Sequence, residues 1–523
     1  MKLQKAKNEE FARAIVLQTR FLYYSQEDLI TFPLQDKEKL KNLEFYEFIC
    51  KDLEETNEKN RLIFVKLSNN VLDRIFNEND KCFEKIPKII NGIDLYGEQV
   101  TLRSLEVLFK GLMKWENNII KLDLDSCKIA DDASLLIANF LRSSKKLSIL
   151  LLRKNLISDV GIKAISEGVM EDSSLIDFDI AFNKLGNEGC VYIADVLNKA
   201  KKLKKLFISG NNISYEGIQA LYDSIQKHTT LYYISLINNH INENSTLKLL
   251  FDAVMESKVI QKLNIGYNKF EIEQAELISE FISKDFKLKK LFLFQLYLNT
   301  QNSVKKLSDS LKINKTIEYL NLKDSKFNKS FKNFPEFLQF NRTVLRLNLY
   351  NNHLEDKDIK ILVTCMYNNT SLEVLNLGYN NISEEGAIDL AGLIESNQIL
   401  KDLDLSFNKL GSEGADTLFK SLKKNKTLLF LNLKNNLVNR KSLLELLKIL
   451  KNNNHSIEFI NLKRNEIKVE KKEIDKIREM LNVNKKIKFL GLTHDDTMTE
   501  GFDKLFLKNV LRDNLLKNKY DLD

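Results

Sequence analysis

Proline is almost absent from this sequence, at 3 of 523 residues, and glycine is sparse at 17. Collagen-like chains, flexible linkers and many-turned all-β folds need more of both. The five cysteines, Cys50, Cys82, Cys127, Cys190 and Cys365, lie far apart and form no CxxC pair. Their spacing therefore gives neither a zinc cluster nor a disulfide framework. Free thiols in a chain this long fit a reducing compartment, so a cytoplasmic location is expected. No apolar run approaches the length of a membrane span, and the charged stretch Met1 to Glu10 leads to no secretory h-region. Membrane insertion is not expected. Basic residues exceed acidic ones by only 8 over the whole chain, too dilute a surplus to favour nucleic acid. GxxxxGK[ST], HExxH and GxSxG are all missing, and the five histidines are scattered. THDDT at Thr493 to Thr497 contains metal-binding residue types but falls in a degenerate stretch. No catalytic residue, cofactor or metal ligand is assigned, and the chain is expected not to be an enzyme.

What is present is repetition. Hydrophobic residues make up 43% and charged residues 29%, the balance of a packed protein. LSILLLRKNLI from Leu147, LIDFDIAFNKL from Leu175 and LKKLFISGNNI from Leu203 share one frame with LEVLNLGYNNI from Leu372 and LKDLDLSFNKL from Leu400. The pattern is LxxLxLxxNx followed by an aliphatic residue. Its Asn position recurs sixteen times between 70 and 495, a step of about 28 residues. The alternating leucines predict a short strand with one buried face. The Asn ends that strand, where a carboxamide can both donate to and accept from unpaired backbone groups. Ser158, Ser214 and Ser383 are candidate N-caps of the helix that follows. One strand and one helix cannot bury their apolar faces alone, but stacked copies can.

The stretches from Glu385 and Glu413 approach xxxGAxxLAxxLxxNxxLxxLxLxxNxL. This unit resembles the ribonuclease-inhibitor-like leucine-rich repeats, and Cys127 at an Asn position fits that resemblance too. The resemblance implies an α/β solenoid, a horseshoe of about 16 leucine-rich repeats with a parallel inner β-sheet and outer helices. Residues 61–495 are read as the array. Residues 1–60 (helical patterns FARAIVLQTRFLYY and LEFYEFICKDLEE) and 496–523 (FDKLFLKNVLRDNLL) are read as helical caps. Glu98, Leu296, Ser325 and Asp495 also replace the ladder Asn. LFLFQLYL around Leu296 is expected to be irregular. KFNKSFKNFPEFLQF, with five Phe and Pro335, predicts a modified helix or loop that either repacks the core or binds something.

The third, fifth and seventh residues of LxxLxLxxN are expected to face outward on the concave sheet. They include the acids Asp123, Asp125, Asp177 and Asp179 and the aromatics Phe207, Tyr233, Phe292, Phe294, Tyr319 and Tyr350. These ten are the candidate partner-binding residues, since exposed aromatics beside charge are typical of binding centres. The expected function is a non-catalytic scaffold that binds a protein partner of unknown identity. Two alternatives remain: a GTPase regulator resembling the Ran GTPase-activating protein, or a bacterial effector delivered to a host cytosol and acting on a host protein.

Overall fold

From Lys121 onward the LxL core of each repeat folds as a strand of three residues, with its alternate aliphatic residues on the buried side. In the computed structural model the described residues are 30–33 and 63–66, and then 90–492 apart from 115–118, 172, 285–286 and 468. They fall into two compact units. The first runs to Ile241 and includes Leu249–Ile260; the second comprises Asn242–Lys248 and the chain from Gln261 onward.

In the first unit the strands are β1 (Ile30–Pro33), β2 (Ile63–Lys66), β3 (Ile90–Asp94), β4 (Lys121–Asp123), β5 (Ile149–Leu151), β6 (Asp177–Asp179), β7 (Lys205–Phe207) and β8 (Tyr233–Ser235). Each pairs in parallel with the next. The second unit carries β9 (Lys262–Asn264), β10 (Lys290–Phe292), β11 (Tyr319–Asn321), β12 (Arg346–Asn348), β13 (Val374–Asn376), β14 (Asp402–Asp404), β15 (Phe430–Asn432), β16 (Phe459–Asn461) and β17 (Phe489–Gly491). These too are parallel neighbours in sequence order. From β2 onward there is one strand per repeat. The caps proposed for 1–60 and 496–523 lie outside the described residues, apart from β1; so do Asn70, Asp495 and THDDT.

Most strands are followed by a helix whose small residues face the neighbouring repeat. In the helix Glu384–Ser396 the buried positions are Gly386, Ala387, Leu390, Ala391, Leu393 and Ile394. Helices approach closely at Gly168, where an added Cβ would lie 2.5 Å from the Ala138 Cα. Ser158 and Ser383 cap their helices by accepting from Val160 and Glu385 amides. Ser214 does not; its hydroxyl donates to Glu216 and accepts from Asn187 instead.

The ladder Asn residues join repeats. Asn155 Nδ2 donates to Leu124 and Leu152 carbonyls at 2.8 and 2.9 Å, while its Oδ1 accepts from the amides of Cys127 and Ile129, both at 3.0 Å. Asn183, Asn211, Asn380, Asn408 and Asn465 repeat this pattern. Where Cys127 stands in, its thiol donates to the Leu95 carbonyl. A second ladder, absent from the sequence reading, runs behind the strands of the second unit. Asn314, Asn341, Asn369, Asn425, Asn454 and Asn484 each donate to a helix-end carbonyl of the preceding repeat.

Two departures resolve cleanly. Leu296 keeps the bend: Gln295 before it has φ 61°, its own amide donates to Ser325 Oγ, and its side chain is fully buried. The Phe-rich segment is a 3-10 helix, Asn328–Gln339, with Pro335 inside it. Phe327, Phe331, Phe334 and Phe337 are fully buried and pack ring against ring, so this segment fills the core. Phe340, just past its end, is exposed.

Candidate functional site

Strand register lines up equivalent residues of successive repeats, so the face opposite the leucines consists of rows. In the first unit one such row reads Lys121, Ile149, Asp177, Lys205, Tyr233, and the next Asp94, Asp123, Leu151, Asp179, Phe207. Lys121 pairs with Asp123 and Lys205 with Asp177, both at 3.0 Å. Asp125 accepts from the Arg153 amide at 2.7 Å. Burial, reinforced by Asp123 and then Asp179, pushes the Asp125 carboxyl up to about 7. Burial likewise lifts Asp179 to about 7, against the opposing Ala181 amide and Arg153. Phe207 and Tyr233 meet edge to face with centroids 4.9 Å apart. All six first-unit candidates thus lie on one strand face.

The remaining four belong to the second unit. Phe292 stands in register between Asn264 and Asn321. Its ring meets Tyr319 at 5.0 Å and Phe294 at 5.9 Å, and the Lys262 ammonium lies 4.9 Å from its centroid. The expectation that these side chains stand outside the core is corrected here. Phe292 is 0% exposed, Phe294 8% and Tyr319 9%, and in the first unit Asp123 and Asp177 are 7% and 6%. Strands only about 4.8 Å apart leave no room around a ring flanked on both sides, so neighbours close over it. Tyr350 is half-buried.

Sequence reasoning missed the aromatics that do reach solvent. Among the described residues, the one just before each ladder position has left-handed φ: 56° at Phe182, 56° at Tyr267, 56° at Tyr379 and 55° at Phe407, with Gly at only two of these bends, Gly97 and Gly210. Bulky residues seldom adopt this conformation. It carries their side chains off the strand end, and Tyr379 is 52% exposed. Tyr350 stacks on Tyr379 at 5.6 Å, and Phe407 meets Tyr379 with tilted rings whose centroids are 5.7 Å apart. The signal was present as an aromatic directly before the Asn, in AFN, GYN and SFN.

A second unforeseen row lies beside these rings. Asn348, Asn376, Asp404, Asn432 and Asn461 occupy one register position on successive strands. Each side-chain oxygen accepts from the backbone amide two residues on: Tyr350, Gly378, Ser406, Lys434 and Lys463. Asn432 Nδ2 donates onward to Asp404 at 3.0 Å. A further aromatic stack, Phe430, Phe459 and Phe489, has centroids 4.3 and 4.2 Å apart. Among the described residues no group of His, Cys, Asp and Glu could hold a metal ion, and no helix is long and apolar enough to cross a membrane. Cys127, Cys190 and Cys365 are buried and unpaired, and burial pushes the Cys127 and Cys190 thiols up to about 12.

Known proteins share these repeats. The family profile described as "Leucine Rich repeat" matches residues 172–194, 199–221, 368–391 and 396–419. Ribonuclease inhibitor of Sus scrofa is 24% identical over 224 residues, 42% of this chain and 49% of that protein. NACHT, LRR and PYD domains-containing protein 13 of Homo sapiens is 23% identical over 165 residues, 31% of this chain and 16% of that protein. The chain therefore spans about half or less of either relative. A solved structure, the yeast Rad7 and Elc1 complex, aligns over 83% of this chain and 95% of that one, with TM-score 0.43 and 14% identity. By its repeats, its ladder and the family-profile matches, the chain is built from leucine-rich repeats similar to those of the ribonuclease inhibitors.

Proposed function

We propose that this protein is a non-catalytic scaffold that holds a macromolecular protein partner against its strand-borne face. Its relatives include an inhibitor named for the protein it acts on, which supports binding rather than chemistry as the array's task. The observation that carries the reading is the run of touching rings Tyr350, Tyr379 and Phe407, which presents aromatic area to solvent just past the ends of the strands. Aromatics held this way lose little entropy on contact and dominate many interfaces. The buried rings Phe292, Phe294 and Tyr319 support the neighbouring surface and do not themselves offer contact area. In the first unit, Asp125 and Asp179 with their neighbours Asp123 and Asp177 favour a basic patch on whatever meets that face, and act mainly on association rate and salt dependence.

The test is affinity capture from source lysate with the intact chain and with Tyr379→Ala plus Phe407→Ala. Retention of every captured protein by the variant at unchanged thermal stability would remove this face from consideration. The GTPase-regulator alternative is addressed by adding the chain to a Ran-type GTPase and following hydrolysis.

A further inference from the structure

The row beside the exposed rings has an unusual hydrogen-bond character. Asn348 and Asn376 each spend their side-chain oxygen on a local backbone amide, at 2.9 Å in both cases. Among the described residues their Nδ2 groups make no hydrogen bond, and both residues are half-buried. What faces outward is a run of N–H donors with its acceptors already occupied.

Several charges around this run are committed. Asp324 accepts from the Tyr267 hydroxyl at 2.6 Å and from the Asn351 amide group. Asp404 is held by the Ser406 amide and Asn432 Nδ2. The Lys323 and Lys434 ammonium groups sit 5.0 and 5.2 Å from the Tyr350 and Phe407 ring centroids. The complement of such a surface is a ligand rich in acceptors, poor in donors and carrying apolar rings. A proline-rich chain has that character: every proline keeps its carbonyl and lacks the amide N–H. In the polyproline II conformation those carbonyls are unpaired within the chain.

We propose that the face formed by Asn348, Asn376, Tyr350, Tyr379 and Phe407 binds a proline-rich segment in the polyproline II conformation, laid across β12 to β14. The proposal rests on the recognition reading above and names its ligand class. Ring-to-ring packing of proline on Tyr379 and Phe407 supplies the apolar contact, and Asn348 and Asn376 donate to the segment's carbonyls.

The experiment uses the full chain and a fluorescein-labelled decaproline peptide followed by anisotropy, with a Gly-Ser decamer and decalysine as comparators. Saturable binding of decaproline alone is expected. Asn348→Asp with Asn376→Asp keeps the oxygens that cap Tyr350 and Gly378 and removes the donors, so affinity should fall about tenfold or more. Tyr379→Ala alters an exposed ring outside the core; it should weaken binding similarly and serves if the double variant melts early. Absence of saturation, equal binding of all three peptides, or unchanged affinity in a folded variant would overturn the proposal. A captured protein partner that is lost with Tyr379→Ala while decaproline fails to bind would leave the recognition reading standing and remove this one.

Discussion

At the scale of single residues, the protein is organised by carboxamides that serve two repeats at once. Asn408 is 5% exposed and bonds the Leu377 and Leu405 carbonyls and the Ile382 amide. Replacing it with Ala strands all three, and Asn408→Ala or Asn183→Ala should cost roughly 1–3 kcal/mol in denaturant unfolding. Leu296→Asn is a different case. The bend is intact around it, so new hydrogen bonds offset the lost apolar burial, and the change should fall within about 1 kcal/mol of neutral. Asp125 and Asp179 give the pH signature. Their folded values, near 7, lie above the ordinary 3.8, so the folded state holds protons that the unfolded chain has released. Their contribution to stability is therefore greatest at acid pH and declines as pH rises from about 4 to 7. Asp125→Asn with Asp179→Asn should raise the melting temperature at pH 8 more than at pH 5, each unit of retained shift being worth about 1.4 kcal/mol. An equal change at both pH values would show that the two carboxyls titrate normally.

At the scale of elements, the strand, bend and helix of each repeat were legible because their periodicities differ. The second ladder was not, although its Asn stands in the repeat pattern itself, because a lone polar residue between helix and strand reads as an ordinary loop. The acids and aromatics of the face were correctly placed on strands, but their burial was not, since it depends on what stands on the two flanking strands. Phe292 illustrates the point: its position predicts exposure, and its neighbours Lys262, Phe294 and Tyr319 remove it. Phe292→Ala should therefore destabilise the fold by about 3–5 kcal/mol, which calorimetry can measure, and it is unsuitable as a binding probe. Phe334→Ala in the 3-10 segment should cost a similar amount. That segment's role as core filler could not be read from sequence, where five Phe around Pro335 fit a binding loop equally well.

At the scale of the whole molecule, stability in a repeat array is the sum of local units and their nearest-neighbour interfaces. Asn408→Ala should accordingly raise hydrogen exchange first in the adjoining repeats, between about residues 377 and 436, and leave β4 to β6 protected as before. Uniform loss of protection would mean that the array unfolds as one cooperative body. The two ladders also tie the protein to the chemistry of ageing. Hydrolysis of a side-chain amide, the slow deamidation that asparagine undergoes with time and heat, turns a group that donates twice into one that only accepts. At Asn155, Asn380 or Asn425 the product carboxylate would face the very carbonyl oxygens it once bound. Each such event is irreversible and repels where it formerly joined, so the working life of the array is set by its slowest-closing repeat: one that opens often enough to admit water loses its rung, and with it the hold on both neighbours.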